Sequence, residues 1–278
     1  MQKKRWKKRK EGIKMEVEIL DKDEKNNAVL FLVKNSSPYF MNVIRRIIVE
    51  EVPTLAIEDV EFRENSSALY DEMVALRLGL LPIKTDLKSY ELPEKCSCKG
   101  AGCAKCQLKL HLKVKADKDG VVVKAKDLKS KDPKAKPVFG EMPIVKLMKG
   151  QALELEAVAV LGKGKKHSKW SPAHVYYKNV PIIEIGNVKN PDEVISNCPV
   201  GVFEIKGGKL VVKKDKLYDC NLCNACVDIS NGAVKVEPDE KNFVFYVESF
   251  GQLGVKEILK QAVDELNEKC DQFIDALK

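Results

Sequence analysis

The chain has 278 residues and is 44% apolar, enough for two or three domains with cores of their own. Its formal net charge of +8 is concentrated at the start: residues 1–14 hold eight Lys or Arg and one Glu, and everything after them sums to about +1. That near-neutral remainder argues against a free nucleic-acid-binding module, and no apolar run approaches the ~20 residues of a membrane span.

The opening "MQKKRWKKRKEGIK" reads as a solvated, disordered extension, with a nucleic-acid contact as the sharper alternative. A translation start at Met15 is a third reading, because "MEVEIL" begins an alternating strand pattern there. No apolar segment follows the basic start as a secretory signal requires, so the expected location is cytoplasmic, where thiols stay reduced. "NNAVLFLVKN" predicts a short strand. In "SSPYFMNVIRRIIVEEVP" the spacing of Phe40, Val43, Ile44, Ile47 and Ile48 predicts a helix with one apolar face, capped by Ser36 or Ser37 and ended by Pro53. "LKLHLKVKA" and "ALELEAVAVLG" alternate as half-buried strands do. Between them, "KADKDGVVVKAKDLKSKDPKAKP" interleaves its Lys with four Asp and reads as a solvated hairpin and loop. "KNFVFYVES" is a further strand before the longest helix, "FGQLGVKEILKQAVDELNEKCDQFIDALK". There Val255, Leu259, Ala262, Leu266, Cys270, Phe273 and Leu277 make a narrow apolar stripe, widened by Ile258, Val263 and Ile274. The stripe needs cover, from within the chain or from a second subunit.

Nine cysteines in a reducing compartment argue for metal rather than disulfides, and eight of them fall into two groups. "CSCKGAGCAKC" sets Cys96, Cys98, Cys103 and Cys106 as C-x-C-x4-C-x2-C. Four thiolates can close a tetrahedron around one structural Zn2+, with Gly100 and Gly102 permitting the turn between the halves and Lys99 and Lys105 offsetting charge. A vestigial loop, or one metallated only in an assembled protein, competes with that reading. The second group joins "NCPVGVFEI" to "DCNLCNACVDI". Cys220, Cys223 and Cys226 at every third position, with the remote Cys198–Pro199, are the ligand arrangement of a ferredoxin cube. Ser230 stands where a two-cluster ferredoxin would carry its next cysteine, so one cluster is expected. Cysteine at 223 favours a 4Fe–4S over a 3Fe–4S form, and a second zinc site is the alternative. Ligands alone do not separate electron carriage from a structural cluster.

Catalytic signals are weak. His111, His167 and His174 are the only histidines, and the Gly/Lys loop "LGKGKKHSKWSP" lacks the spacing of a phosphate-binding P-loop. With no nucleophile elbow and no carboxylate cluster, the chain does not read as an enzyme by itself.

Residues 41–83, "MNVIRRIIVEEVPTLAIEDVEFRENSSALYDEMVALRLGLLPI", resemble the signature of the alpha-type assembly subunits of cellular RNA polymerases. From about Met15 to Lys278 the chain resembles the archaeal members of that family, the counterparts of bacterial alpha and of the third-largest subunit of eukaryotic polymerase II. "GQALELEAVAVLGKGKKHSKWSP" and "ESFGQLGVKEILKQAVDELNEK" follow in the expected order. The resemblance implies an α+β chain in three parts. Residues 15–57 with 238–278 would form an alpha-type dimerisation domain, 58–185 an inserted β-rich domain with the zinc loop, and 186–237 a ferredoxin-like iron–sulfur domain. It also implies a non-catalytic role: a heterodimer with the small alpha-like subunit L, on which the two large catalytic subunits and the small assembly subunits gather. DNA would be met only through that complex. Leu259 and Leu266 would lie at the L interface, and Asn42, Arg45 and Arg46 on the helix side facing a large subunit, where the Arg fork suits carboxylates and carbonyls. The magnesium chemistry of nucleotidyl transfer would belong to the largest subunits. An iron–sulfur electron-transfer protein is the alternative function.

Overall fold

The computed structural model describes residues 14–277, so the basic tail, apart from Lys14, lies outside the described residues. In chain order the elements begin with β1 (Glu16–Asp23), β2 (Ala28–Lys34), α1 (Pro38–Glu50), β3 (Thr54–Asn65) and α2 (Asp71–Gly79). Next come β4 (Gln107–Lys115), β5 (Val121–Lys124), β6 (Lys129–Ser130), β7 (Pro143–Leu147), β8 (Ala152–Gly162) and β9 (Ala173–Ile185). The chain closes with α3 (Pro191–Ser196), β10 (Phe203–Lys206), β11 (Lys209–Val212), α4 (Ala225–Ile229), β12 (Val234–Ser249) and α5 (Val255–Ala276). Two compact units result. Of the described residues, the first gathers those up to Lys22, Val29–Val43 and Tyr176–Tyr246; the second gathers Asp23–Ala28, Ile44–Val175 and those from Val247 on.

A four-stranded sheet ordered β1-β2-β12-β9 organises the first unit. Phe31 of β2 stacks on Phe245 of β12 with ring centroids 5.2 Å apart, and Tyr177 of β9 meets Phe243 edge-on at 6.0 Å. Between β9 and β12 the chain makes a small excursion whose ends are tied together: the Gly186 N–H donates to the Ala233 carbonyl at 2.8 Å. Inside it, β10 and β11 pair antiparallel with Lys206 opposite Lys209. Gly207 and Gly208, at φ 60° and 74°, supply the two left-handed positions that a tight hairpin of matching twist requires. Val194, Val202, Phe203, Leu210 and Val234 form the core of this excursion, together with Cys220 and Cys226.

The second unit is built on an antiparallel sheet ordered β3-β8-β4-β6. Alternation works here as its sequence predicts. Leu108, Leu110 and Leu112 of β4 and Leu153, Leu155, Ala157 and Ala159 of β8 are buried on one face. On the other face Lys109 and Lys113 pair with Glu156 and Glu154, both at 2.7 Å. Each fully buried Leu contributes about 1.5–3 kcal/mol relative to exposure. Helix α2 adds Val74 and Leu78 to the same core. The Lys-rich segment departs from the expected solvated loop. Its β5 pairs with β7, and Val123, Ala125, Leu128 and Ala135 are buried in the core. Apolar residues spaced among exposed lysines carry that burial, and a count of charges hides them.

Helix α1 starts as expected, with the Ser37 hydroxyl accepting from the Phe40 N–H at 3.3 Å. Its end is closed by the Gly/Lys loop. The Lys165 N–H donates to the Glu50 carbonyl at 2.9 Å, and the Ser171 hydroxyl donates to the Val49 carbonyl at 3.2 Å. Gly164 lies so close that a Cβ there would stand 1.9 Å from the Val49 carbonyl oxygen. Of the predicted apolar face, Ile47 and Ile48 are buried, Ile44 is half-buried, and Phe40 and Val43 remain exposed.

Candidate metal centres and the C-terminal helix

Two turns bring the first four cysteines together. The Lys99 N–H bonds the Cys96 carbonyl at 2.9 Å, and the Cys106 N–H bonds the Cys103 carbonyl at 3.0 Å. Gly100 and Gly102 between them take φ 82° and 92°, the left-handed region that glycine adopts freely. A Cβ at Gly102 would stand 2.5 Å from the Gln107 side chain. The resulting Sγ···Sγ distances are 3.5 Å for Cys96–Cys103 and Cys96–Cys98, 3.4 Å for Cys98–Cys106 and 3.8 Å for Cys103–Cys106. A tetrahedral ion bound by sulfur at about 2.3 Å has edges of about 3.8 Å, so the foursome matches a single tetrahedral metal. All four ligand atoms lie within 4.8 Å of one another, and Cys96 and Cys106 are buried. Proton chemistry points the same way. The hydrogen bond from the Cys106 thiol, first among several, draws Cys98 down to about 6. The Cys98 backbone N–H favours a Cys96 thiolate, yet burial and the neighbouring thiols together push Cys96 up to about 12. Without a cation Cys96 and Cys98 do not both ionise; a dication removes that conflict.

The second foursome is arranged differently. Among the described residues only the first set closes to single-ion spacing. Cys220 and Cys226 are buried, Cys198 is half-buried against the same small core, and Cys223 is exposed. Burial pushes the Cys220 and Cys226 thiols up, and Cys198 and Cys223 add to the rise in both. The four thus share one neighbourhood without crowding a single point, which suits a larger group with one corner per thiolate. Leu222 and Asn224, at φ 58° and 61°, flank Cys223 and wind its loop tightly. A left-handed Leu costs about 1–2 kcal/mol and persists only where its surroundings impose it.

Helix α5 presents two faces. Val255, Ile258, Ala262 and Glu265 are buried, Leu259 and Leu266 are half-buried, and Val263 and residues 269–277 are exposed. Phe273, Ile274 and Leu277 are 67%, 54% and 73% exposed. The predicted stripe is therefore covered along its first half and bare along its second.

The comparisons with known proteins agree on one family. The RNA polymerase Rpb3/RpoA insert domain matches residues 60–180. The chain is 40% identical over 269 residues to DNA-directed RNA polymerase subunit Rpo3 of Methanosphaera stadtmanae, a match covering 94% of this chain and 98% of that one. The chain belongs to the Rpo3 family of DNA-directed RNA polymerase subunits. It is also 39% identical over 260 residues to Rpo3 of Archaeoglobus fulgidus (93% and 96% covered) and 37% over 266 residues to that of Methanosarcina acetivorans (95% and 98%).

As an Rpo3-family chain it assembles with other polymerase subunits, and none of its described helices is long and apolar enough to cross a membrane. Asn42 and Arg45 on α1 are half-buried and Arg46 is exposed. Arg46 grips Glu50 one turn on with two bonds, Nε to Oε1 at 3.0 Å and Nη2 to Oε2 at 3.1 Å. Three residues escape a reading of the sequence. Glu265 stands in the buried stripe of α5 at 6% exposure, and its carboxylate accepts from Lys163 Nζ at 2.7 Å. Lys163 also reaches Glu51 at 3.2 Å, which Lys269 of α5 meets at 3.0 Å. Burial would raise the Glu51 carboxyl, but Lys269 and Lys163 outweigh it and hold it below the usual range. Three of the four lysines in the Gly/Lys loop are thus committed to acids: Lys163 to Glu51 and Glu265, and Lys166 and Lys169 to Glu58. Lys178 is the third of the residues that escape: half-buried beside the second cysteine set, it donates to the Cys220 carbonyl at 3.0 Å. Its burial lowers its pKa, and Cys220 and Asp219 partly restore it. Only an acidic or basic residue out of pattern could have signalled any of these.

Proposed function

We propose that this chain is the non-catalytic assembly platform of its polymerase. The bare second half of α5 supports this reading most directly. A helix leaves Phe273, Ile274 and Leu277 on one exposed stripe when a partner covers them. The partner in this reading is the small alpha-like subunit L, packed against α5, with residues 15–57 and 238–278 forming the dimerisation domain. Asn42, Arg45 and Arg46 then address a large subunit, the insert spans 58–185, and the chemistry of nucleotidyl transfer stays with the large subunits.

In the same reading Cys96, Cys98, Cys103 and Cys106 hold one structural Zn2+. Cys198, Cys220, Cys223 and Cys226 hold one 4Fe–4S cluster in a ferredoxin-like domain of residues 186–237. When bound, the cluster cross-links the excursion between β9 and β12, and the chain's own part is to seat the four thiolates and set Lys178 beside them.

The deciding experiment is capture of subunit L by the full chain. Leu259→Asp and Leu266→Asp, half-buried on the stripe, are expected to reduce capture at least a hundredfold; normal capture by both would overturn the interface. Counting metal in anaerobically purified chain should give about four iron, four sulfide and one zinc. Reversible electron exchange with a partner, together with L binding that survives both substitutions, would favour the electron-transfer alternative.

A further inference from the structure

Two cavities in the second unit share one wall residue, Gln252. The larger, about 720 Å³, is polar and lined by Lys84, Lys88, Lys134 and Lys136 with Asp86 and Glu257. Its acids already have donors. Asp86 accepts from the Lys88 N–H at 3.0 Å and from Lys134 at 3.3 Å, and Glu257 accepts from the Gly254 N–H at 3.3 Å. Lys84, Lys88 and Lys136 have no acid partner among the described residues. The start of the 22-residue α5 opens on the same cavity, and its capping residue, Gly254, has no side chain to accept from the first-turn N–H groups. The smaller cavity, about 290 Å³, is an apolar cleft lined by Leu80, Pro82, Phe139, Met142 and Phe250.

Gln252 itself is 4% exposed, and its Oε1 is the single buried side-chain polar atom without a hydrogen-bond partner among the described residues. A buried acceptor left without a donor is uncommon in a folded chain. The two cavities thus make two demands on either side of Gln252: negative charge in one and an apolar side chain in the other.

We propose that the two cavities dock an acidic peptide segment with an apolar anchor, supplied by another subunit of the polymerase. Its carboxylates meet Lys84, Lys88 and Lys136, and its anchor fills the Leu80–Phe139–Phe250 cleft. Inorganic phosphate and nucleic-acid phosphates answer the first demand only, since they bring no apolar anchor. The inference builds on the assembly reading but concerns a surface away from the exposed stripe of α5.

The test has two arms, so that its failure is separable from failure of the assembly reading. In the first, isolated full chain is titrated with a blocked Glu-Asp-Leu-Phe-Glu-Asp peptide and with its Lys-Lys-Leu-Phe-Lys-Lys counterpart. The acidic probe is expected to bind at least tenfold tighter, and Lys84→Glu with Lys136→Glu is expected to reverse the preference. Equal binding of both probes, or an acidic preference that survives the double substitution, overturns the proposal. So does tighter binding of a single-stranded oligonucleotide that competes the probe away. In the second arm, purified polymerase containing this chain is treated with a carbodiimide, which joins a lysine amine to a touching carboxylate. Links from Lys84, Lys88 or Lys136 to an Asp or Glu of another subunit support the proposal and name the partner. Lysines that stay as reactive in the polymerase as in the isolated chain overturn it, as do links only to a second copy of this chain.

Discussion

The two cysteine quartets differ in how much of the fold each one needs. The first is complete within eleven residues, Cys96 to Cys106, and two turns and two left-handed glycines suffice to bring its sulfurs to 3.4–3.8 Å along four edges. The second is assembled from Cys198 and the 220–226 loop, and it depends on α3, the β10–β11 hairpin and α4 packing as one small core. The first site is local chemistry. The second is tertiary structure expressed through sulfur.

That contrast predicts a ladder of effects. The largest belongs to Cys106→Ser, which removes a buried ligand from the closed set: zinc should fall from about one per chain to none while iron is unchanged. Zinc retained at full stoichiometry would mean that the four thiols are not one site. Cys198→Ser should next cut iron and sulfide at least tenfold, leave zinc alone, and loosen residues 186–233 to proteolysis. If that excursion stays as resistant as in the parent chain, the second site is not what holds it together.

A third change lies outside both sites and sharpens the distinction. Lys163→Met leaves Glu51 and Glu265 short of their shared cation, and should cost about 2 kcal/mol in unfolding with both metal contents intact. Its pH dependence has a definite sign. Because the Glu51 carboxyl is held below 4.5 in the folded chain, its contribution is present above the ordinary value and is lost as pH falls through the lowered one. Denaturation midpoints of parent and variant should therefore converge in acid. The smallest effect is expected from Leu222→Gly, which relieves the left-handed Leu of the second loop and should stabilise the metal-free chain by about 0.5–1 kcal/mol. Lys99→Gly, at φ 54° in the first loop, is the matching control.

Particular residues show where reading the sequence succeeds. The strands β4 and β8 alternate cleanly because their sheet has one wet face and one dry face, so a period of two survives into the structure. Ser37 caps α1 through a bond that reaches only three residues, and Pro53 stands three residues beyond its end. The cysteine loop needs nothing beyond its own turns. Elsewhere the signal fails for a physical reason. Helix α2 has only Val74 and Leu78 buried, too few to impose a period. The Lys-rich segment hides four buried apolar residues among exposed charges. Glu265 occupies an apolar stripe position because Lys163, about a hundred residues away in sequence, supplies its counter-charge.

The sequence by itself therefore determined the local chemistry: the two cysteine sets, the alternating strands, the capped helix, and the family to which the chain belongs. Tertiary structure alone decided which half of the α5 stripe is covered, which lysines are already committed to acids, and that Gln252 is buried without a partner. Periodicity and caps act over a few residues and are written in the order of the chain. Burial, counter-charge and cavity shape depend on groups brought together from distant parts of it, and only the folded chain supplies them.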